Sequence, residues 1–149
     1  MKRPGKPGMK MLTLPLLLSL VLIATSCAST ASKEKKHEEL LKESVEAYIS
    51  SFRWEDYKQA SLFVPPTAKE SFWAEVDRFK GKIRITDYEL REVEVSPKGD
   101  LATVFMRVQF WRTASPVLKS VSFNQKWYYN EKAKIWLVGD TGFRAITGD

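Results

Sequence analysis

Apolar residues recur at the helical period from Leu40 to Phe79 and at the strand period from Ile83 onward, so the chain changes architecture once, near Gly81. In the first stretch Leu40, Leu41, Val45, Tyr48, Ile49 and Phe52 make one stripe, with Lys42, Glu43 and Glu46 on the other side. That pattern predicts an amphipathic helix beginning about Glu39. A second, short helix is expected from Trp54 to Phe63, with Trp54, Tyr57 and Ser61 on one side. Pro65 and Pro66 stop it, since neither donates a backbone hydrogen bond and Val64 is pushed extended. Thr67-x-x-Glu70 has the spacing of a capping box and predicts the start of a third helix through Phe72, Trp73, Val76 and Phe79, with Gly81 at its C′ position.

Four strands are expected next, over Lys82–Val95, Leu101–Arg112, Val117–Asn130 and Lys134–Gly139, all rich in β-branched and aromatic residues. Their connections are too short for crossover helices, so the strands must form an antiparallel meander. In the first strand the apolar phase slips twice, from Ile83 and Ile85 to Tyr88 and Leu90, then to Val93 and Val95. Such slips predict bulges, which bend a sheet strongly. The second strand is apolar on both faces, with Leu101, Phe105 and Trp111 against Val104, Met106, Val108 and Phe110. Helices covering one side of a curled sheet would bury it. The Gly-punctuated tail from Thr141 is expected to be irregular, pinned to the body by Phe143 or Ile146.

Ahead of the helices the chain is built differently. Lys2, Arg3, Lys6 and Lys10 form a cationic segment with no acidic residue, and Met11 to Ile23 form a mostly apolar run of about 13 residues. At about 1.5 Å per residue the run is too short for a bilayer core of about 30 Å, which marks a targeting element and not a span. It ends in Leu22-Ile23-Ala24-Thr25-Ser26-Cys27, which holds the chain's one cysteine. These residues resemble the lipobox of bacterial lipoproteins, with Ala24 standing where leucine is commoner. The resemblance implies a thioether-linked diacylglycerol and an N-acyl chain on Cys27, and so the membrane as a partner. Several chains anchor stably where one, at about 0.8 kcal/mol per buried CH₂, does so only marginally. Ala28 in place of an aspartate implies, by the sorting rule of that class, the outer membrane facing the periplasm. An ordinary secretory cut after Ala28 is the alternative, and it would discard the cysteine. The expected organisation is a signal peptide over 1–26, a lipidated cysteine with a flexible tether over 27–38, and one domain over 39–149.

Removing the leader changes the charge. The whole chain carries +6, but 24 basic residues less the four of the leader leave 20 against 18 acidic, a net +2. Nucleic acid, which calls for a clustered basic face, is therefore not an expected partner. All 18 aromatic residues lie after Cys27, enough for a single core that no disulfide can assist. His37, the one histidine, falls in the charged lead-in and is expected to be solvated. Without a second histidine or a cysteine in the domain no zinc-type site can be built, and no metal or cofactor is expected.

Three helices followed by long, bent antiparallel strands, together with Tyr48-Ile49-Ser50-Ser51-Phe52-Arg53-Trp54-Glu55-Asp56-Tyr57 and the closing Lys134-Ile135-Trp136-Leu137-Val138-Gly139-Asp140, resemble the nuclear transport factor 2-like superfamily, which includes ketosteroid isomerase-like and SnoaL-like proteins. The resemblance implies an α+β cone with an interior pocket, and dimerisation through the sheet. It also makes Tyr48, Trp54, Tyr57, Trp73, Phe105, Arg107 and Trp127 the candidates for lining that pocket.

The isomerases of the superfamily carry a tyrosine eight residues before the aspartate of the junction, and Tyr48 and Asp56 match that spacing. Their general base is an aspartate about two dozen residues later, where this chain has Glu70, Ser71, Phe72 and Trp73. Their buried protonated aspartate has no counterpart among Phe105, Arg107 and Gln109. Proton abstraction needs a base within about 3 Å of the substrate, so a tyrosine alone reads as a core residue. Asp87, Glu89, Arg91, Arg107 and Gln109 are explained by ion pairing on a solvated face. The leading expectation is a membrane-tethered, non-catalytic module that binds a small apolar ligand or an envelope protein. An envelope isomerase or dehydratase and an accessory structural subunit are the alternatives.

Overall fold

The computed structural model describes Met1, Gly5 and residues 26 to 148, and the side chains of these apart from 26 to 31, Lys33 and Glu34. The leader and the Cys27 side chain lie outside the described residues. The chain divides into two units, Met1–Lys36 and His37–Asp149. In the first, the described stretch is the opening of helix α1, which runs Ser26–Arg53. The flexible tether expected over 27–38 is therefore helical, because no glycine or proline interrupts it and Lys33 to Lys36 are good helix formers. Among the described residues no helix is long and apolar enough to cross a membrane.

In the second unit, α1 buries Leu41, Val45, Tyr48, Ile49 and Phe52, the stripe expected of it. Glu55 turns the chain at φ 58°, and Asp56 caps helix α2 (Tyr57–Ala60) by accepting a hydrogen bond from the Gln59 amide at 3.0 Å. A 3₁₀ turn, Ser61–Phe63, completes this short helix. A second 3₁₀ turn, Pro66–Ala68, leads into α3 (Lys69–Phe79). The capping box at Thr67 and Glu70 does not form. Pro66 starts the 3₁₀ turn, the Ala68 and Lys69 amides bond back to the Pro65 and Pro66 carbonyls, and Ala68 becomes the cap with no side-chain bond. Lys80 ends α3 and Gly81 follows at φ 71°, as its C′ position requires.

The sheet comprises β1 (Ile83–Val95), β2 (Leu101–Arg112), β3 (Ser115–Asn130) and β4 (Ile135–Asp140), antiparallel and in sequence order. Register shifts fall between Ile85 and Asp87 and between Leu90 and Glu92, where the apolar phase slips. Each bulge restores the inward face. Ile85, Tyr88, Leu90, Val93 and Val95 stand opposite Phe110, Val108, Met106, Val104 and Ala102, all inward residues of β2. The outward residues of β2 are less covered, with Leu101 58% exposed.

His37 departs from expectation. It is buried, its ring centroid 4.3 Å from that of Tyr129 and its Nδ1 3.1 Å from the Gly99 carbonyl, while its own carbonyl accepts from Trp136 Nε1 at 3.0 Å. A carbonyl only accepts, so Nδ1 is the protonated nitrogen. His37 thereby ties α1 to the β1–β2 turn and to β4.

The tail is helical at α4 (Arg144–Thr147), and both Phe143 and Ile146 are fully buried. Gly142, at φ 68°, makes this entry possible. A Cβ there would collide with the Asn124 carbonyl and lie 2.6 Å from Phe123 Cδ2. Gly81 has a similar φ of 71° but open space where its Cβ would be. Gly81→Ala is thus expected to cost about 1 kcal/mol, the left-handed backbone penalty alone. Gly142→Ala should cost more than about 2 kcal/mol, because the β3 backbone must also shift. Urea unfolding of the two variants measures the difference, and equal costs would contradict the seating of the tail against β3.

Candidate functional site

The cone interior is built from rings. Tyr48 is fully buried, with Trp127 edge-on at 5.6 Å, Phe52 at 5.2 Å and Phe143 stacked at 6.1 Å. Its hydroxyl is buried and has no hydrogen-bond partner among the described residues. Burial pushes the Tyr48 phenol well above its usual range, and the charge of Glu75 pushes the same way.

Glu75 is the residue that sequence reasoning missed. It stands on α3 with Phe72, Val76 and Phe79, which are buried at i−3, i+1 and i+4. A carboxylate on an otherwise apolar stripe was the available signal. Both carboxylate oxygens lie within reach of Thr141 Oγ1, at 2.9 and 3.0 Å. From there a chain of bonds descends into the core. The Thr141 carbonyl accepts from Gln125 Nε2 at 3.0 Å, and Gln125 Oε1 accepts from Trp127 Nε1 at 3.1 Å. Gln125 is completely buried, and these two bonds satisfy it where losing one would cost about 1–3 kcal/mol.

Burial raises the Glu75 carboxyl above its ordinary value. The Thr141 hydrogen bond opposes the rise, the Asp140 charge adds to it, and Arg78 and Arg144 oppose it. The carboxyl lies on a cleft of about 510 Å³ whose lining includes Ser71, Phe72, Arg78, Asp140, Thr141 and Arg144. A carboxyl raised by burial on a cleft is a candidate for proton transfer. The filled interior works against that use. Phe143 and Phe52 occupy the core beside Tyr48, so the Tyr48 hydroxyl is closed to solvent.

The residues expected to line a pocket part company in the structure. Tyr48 and Trp127 meet in the core, and Tyr57 packs on Phe52 at 5.4 Å. Trp54 is 75% exposed under the Arg53 guanidinium, and Trp73 is 41% exposed at the edge of Phe72. Trp54 lies in the turn after α1, outside the short helix expected to start there, which begins only at Tyr57. Trp73 sits on the outer face of α3, whose buried stripe runs through Phe72, Val76 and Phe79. Phe105 and Arg107 point away from the interior because the inward parity of β2 belongs to Val104, Met106 and Val108. Arg107 instead donates from Nε to Ser120 Oγ at 2.7 Å on the open face. Asp87, Glu89 and Arg91 are exposed on that face too, with Arg91 and Glu89 paired at 2.9 Å. Among the described residues no group of three His, Cys, Asp or Glu could hold a metal.

The raised Glu75 carboxyl has a consequence for stability. The folded state holds its proton more tightly than the unfolded state, so stability falls as pH rises from the ordinary glutamate range through the raised value. Glu75→Gln, which can still accept from Thr141, removes that slope. Urea unfolding between about pH 4 and pH 8 should show a flatter profile for the variant, and a variant at least as stable as the parent at neutral pH. A steeper profile in the variant would contradict the burial.

No protein-family model matches the chain, and no curated protein matches it. Several chains of known structure share its architecture, among them two from crystal structures of bacterial proteins. A ketosteroid isomerase-like protein from Erwinia carotovora atroseptica SCRI1043 superposes with a TM-score of 0.54 at 14% identity, covering 67% of this chain and 88% of that one. A protein of Xanthomonas campestris pv. campestris, provisionally named a polyketide cyclase, gives a TM-score of 0.53 at 10% identity, covering 68% of this chain and 90% of that one. At these identities the likeness is one of fold, and the antiparallel four-stranded sheet with its helices is a nuclear transport factor 2-like fold.

Proposed function

We propose that the protein is a lipid-anchored module of the bacterial envelope whose domain binds a partner at its surface and carries out no reaction in its interior. The observation that supports this most is the filled cone. Tyr48, Trp127, Phe143 and Ile146 are each no more than 1% exposed, so the space where a substrate would sit holds the protein's own side chains. Apolar groups are offered outside instead, with Trp54 75%, Leu62 61% and Leu101 58% exposed. A protein partner suits such surfaces better than a small apolar ligand, which needs a concave site. A second copy docking through the sheet would use the outer face with Leu101, Phe105 and Trp111. The anchor rests on Cys27 at the end of the apolar leader, and Ala28 after it favours the outer membrane, facing the periplasm.

A second reading has one observation in its favour. Glu75, raised by burial and coupled to Tyr48, is a carboxyl of the kind that isomerase or cyclase chemistry uses, and the names of the two structural neighbours belong to that chemistry. Substrate would then have to displace Phe143.

Intact mass spectrometry of protein expressed with its own leader tests the proposal. The expected species starts at Cys27 and carries diacylglycerol and an acyl chain, with no small molecule retained in stoichiometric amount. Cys27→Ser should lose those added masses. A mature chain starting after Ala28 would overturn the anchor, and a stoichiometric apolar ligand would overturn the filled interior.

A further inference from the structure

The end of α3, the start of β1, the end of β2 and α4 enclose a cleft of about 630 Å³ distinct from the one on which Glu75 lies. Its lining includes Arg78, Lys82, Arg112 and Arg144 together with Thr113 and Thr147, and among the described residues that line it there is no carboxylate. The sequence after the leader carries a net charge of only +2, so four cations in one recess are a local concentration and not a reflection of a basic protein.

We propose that this cleft binds a phosphate group. Like charges gathered in one recess repel, so a recess lined by one sign of charge is stabilised by an anion that enters it. Part of the charge is answered from within the protein. Glu75 interacts with Arg78 and Arg144 from the neighbouring cleft, and Lys82 Nζ donates to the Asp77 carbonyl at 3.2 Å. Arg112 is held more rigidly. Its Nη2 donates to the Ile146 and Thr147 carbonyls at 2.7 and 3.2 Å, and these neutral acceptors leave its positive charge without a carboxylate among the described residues. Its Nε is buried and has no hydrogen-bond partner among the described residues. An arginine whose guanidinium is fixed by carbonyls keeps its full positive charge at the cleft and is suited to the tetrahedral, multiply charged oxygens of a phosphate. A single carboxylate would answer less of the charge. The phosphate belongs either to a soluble molecule or to the headgroup of an anionic lipid, and the chemistry of recognition is the same for both. The site is separate from the filled interior, and its failure would leave that reading untouched.

The test uses the lipidated protein in neutral detergent at low salt, followed by side-chain and backbone ¹⁵N–¹H spectra. Three probes are titrated separately: inorganic phosphate, dihexanoyl phosphatidylglycerol and the zwitterionic dihexanoyl phosphatidylcholine. A saturable shift of the Arg112 Nε–H with phosphate supports a soluble ligand. A shift with phosphatidylglycerol alone supports a headgroup. In the double variant Lys82→Ala, Arg144→Ala, whose parent side chains are exposed, binding should weaken about tenfold with the backbone spectrum otherwise retained. In the parent protein, raising the salt from about 20 to about 200 mM should weaken binding severalfold, a readout independent of the variant's folding. No saturation with either anion, an equal response to phosphatidylcholine, or indifference to salt would each overturn the site.

Discussion

Phe143 must fit among four aromatic rings supplied by three elements, with centroids 4.6 Å away at Phe52, 5.0 Å at Phe79, 5.8 Å at Phe123 and 6.1 Å at Tyr48. That one side chain touches both the helices and the sheet, beside the direct Tyr48–Trp127 contact and the His37 ties. Gly142 bends the backbone so that Phe143 can enter, Ile146 follows it into the core, and Arg112 holds the Ile146 and Thr147 carbonyls from outside. Aromatic contacts of this kind contribute about 0.5–1.5 kcal/mol each beyond the area they bury. A set converging on one residue makes the tail part of the core and not an appendage to it.

The same constraint decides what the interior of the sheet holds. A curled sheet under helices makes a hollow only if nothing is sent to fill it, and here the chain fills its own. Tyr48 is left with a buried hydroxyl, Phe105 and Arg107 face outward by the parity of β2, and Glu75 sits at the rim, tied to Thr141. What remains available lies outside the cone: exposed tryptophans on the helical side and a cationic recess between α3 and α4. Fold alone does not fix activity, and in this chain the contents of the cone are the more informative part.

The sheet was largely legible in the sequence because its signals are local. Strand ends came from turn residues, and the two slips in β1 marked its bulges directly, since side chains alternate with a period of two. Residues whose partners are distant in sequence were not legible. His37 lies in a charged run, and its burial depends on Gly99 and Trp136, 62 and 99 positions away. Glu75 meets Thr141 across 66 positions. Trp54 and Trp73 suggest burial by their apolar character, although Trp54 falls in the turn after α1 and Trp73 lies off the stripe that α3 buries. The capping box at Thr67 failed for a nearer reason, because Pro66 had already committed the backbone to a 3₁₀ turn.

Native-state hydrogen exchange at the tail tests the plugged core most directly. The Ile146 and Thr147 amides donate to the Phe143 carbonyl at 2.8 and 3.0 Å, and they exchange only when this last turn opens. If Phe143 and Ile146 complete the core, their protection lies within about 1–2 kcal/mol of the global unfolding free energy. Exchange at nearly unprotected rates, with the sheet amides still fully protected, would mean that the tail is a door that opens by itself and that the cone is accessible.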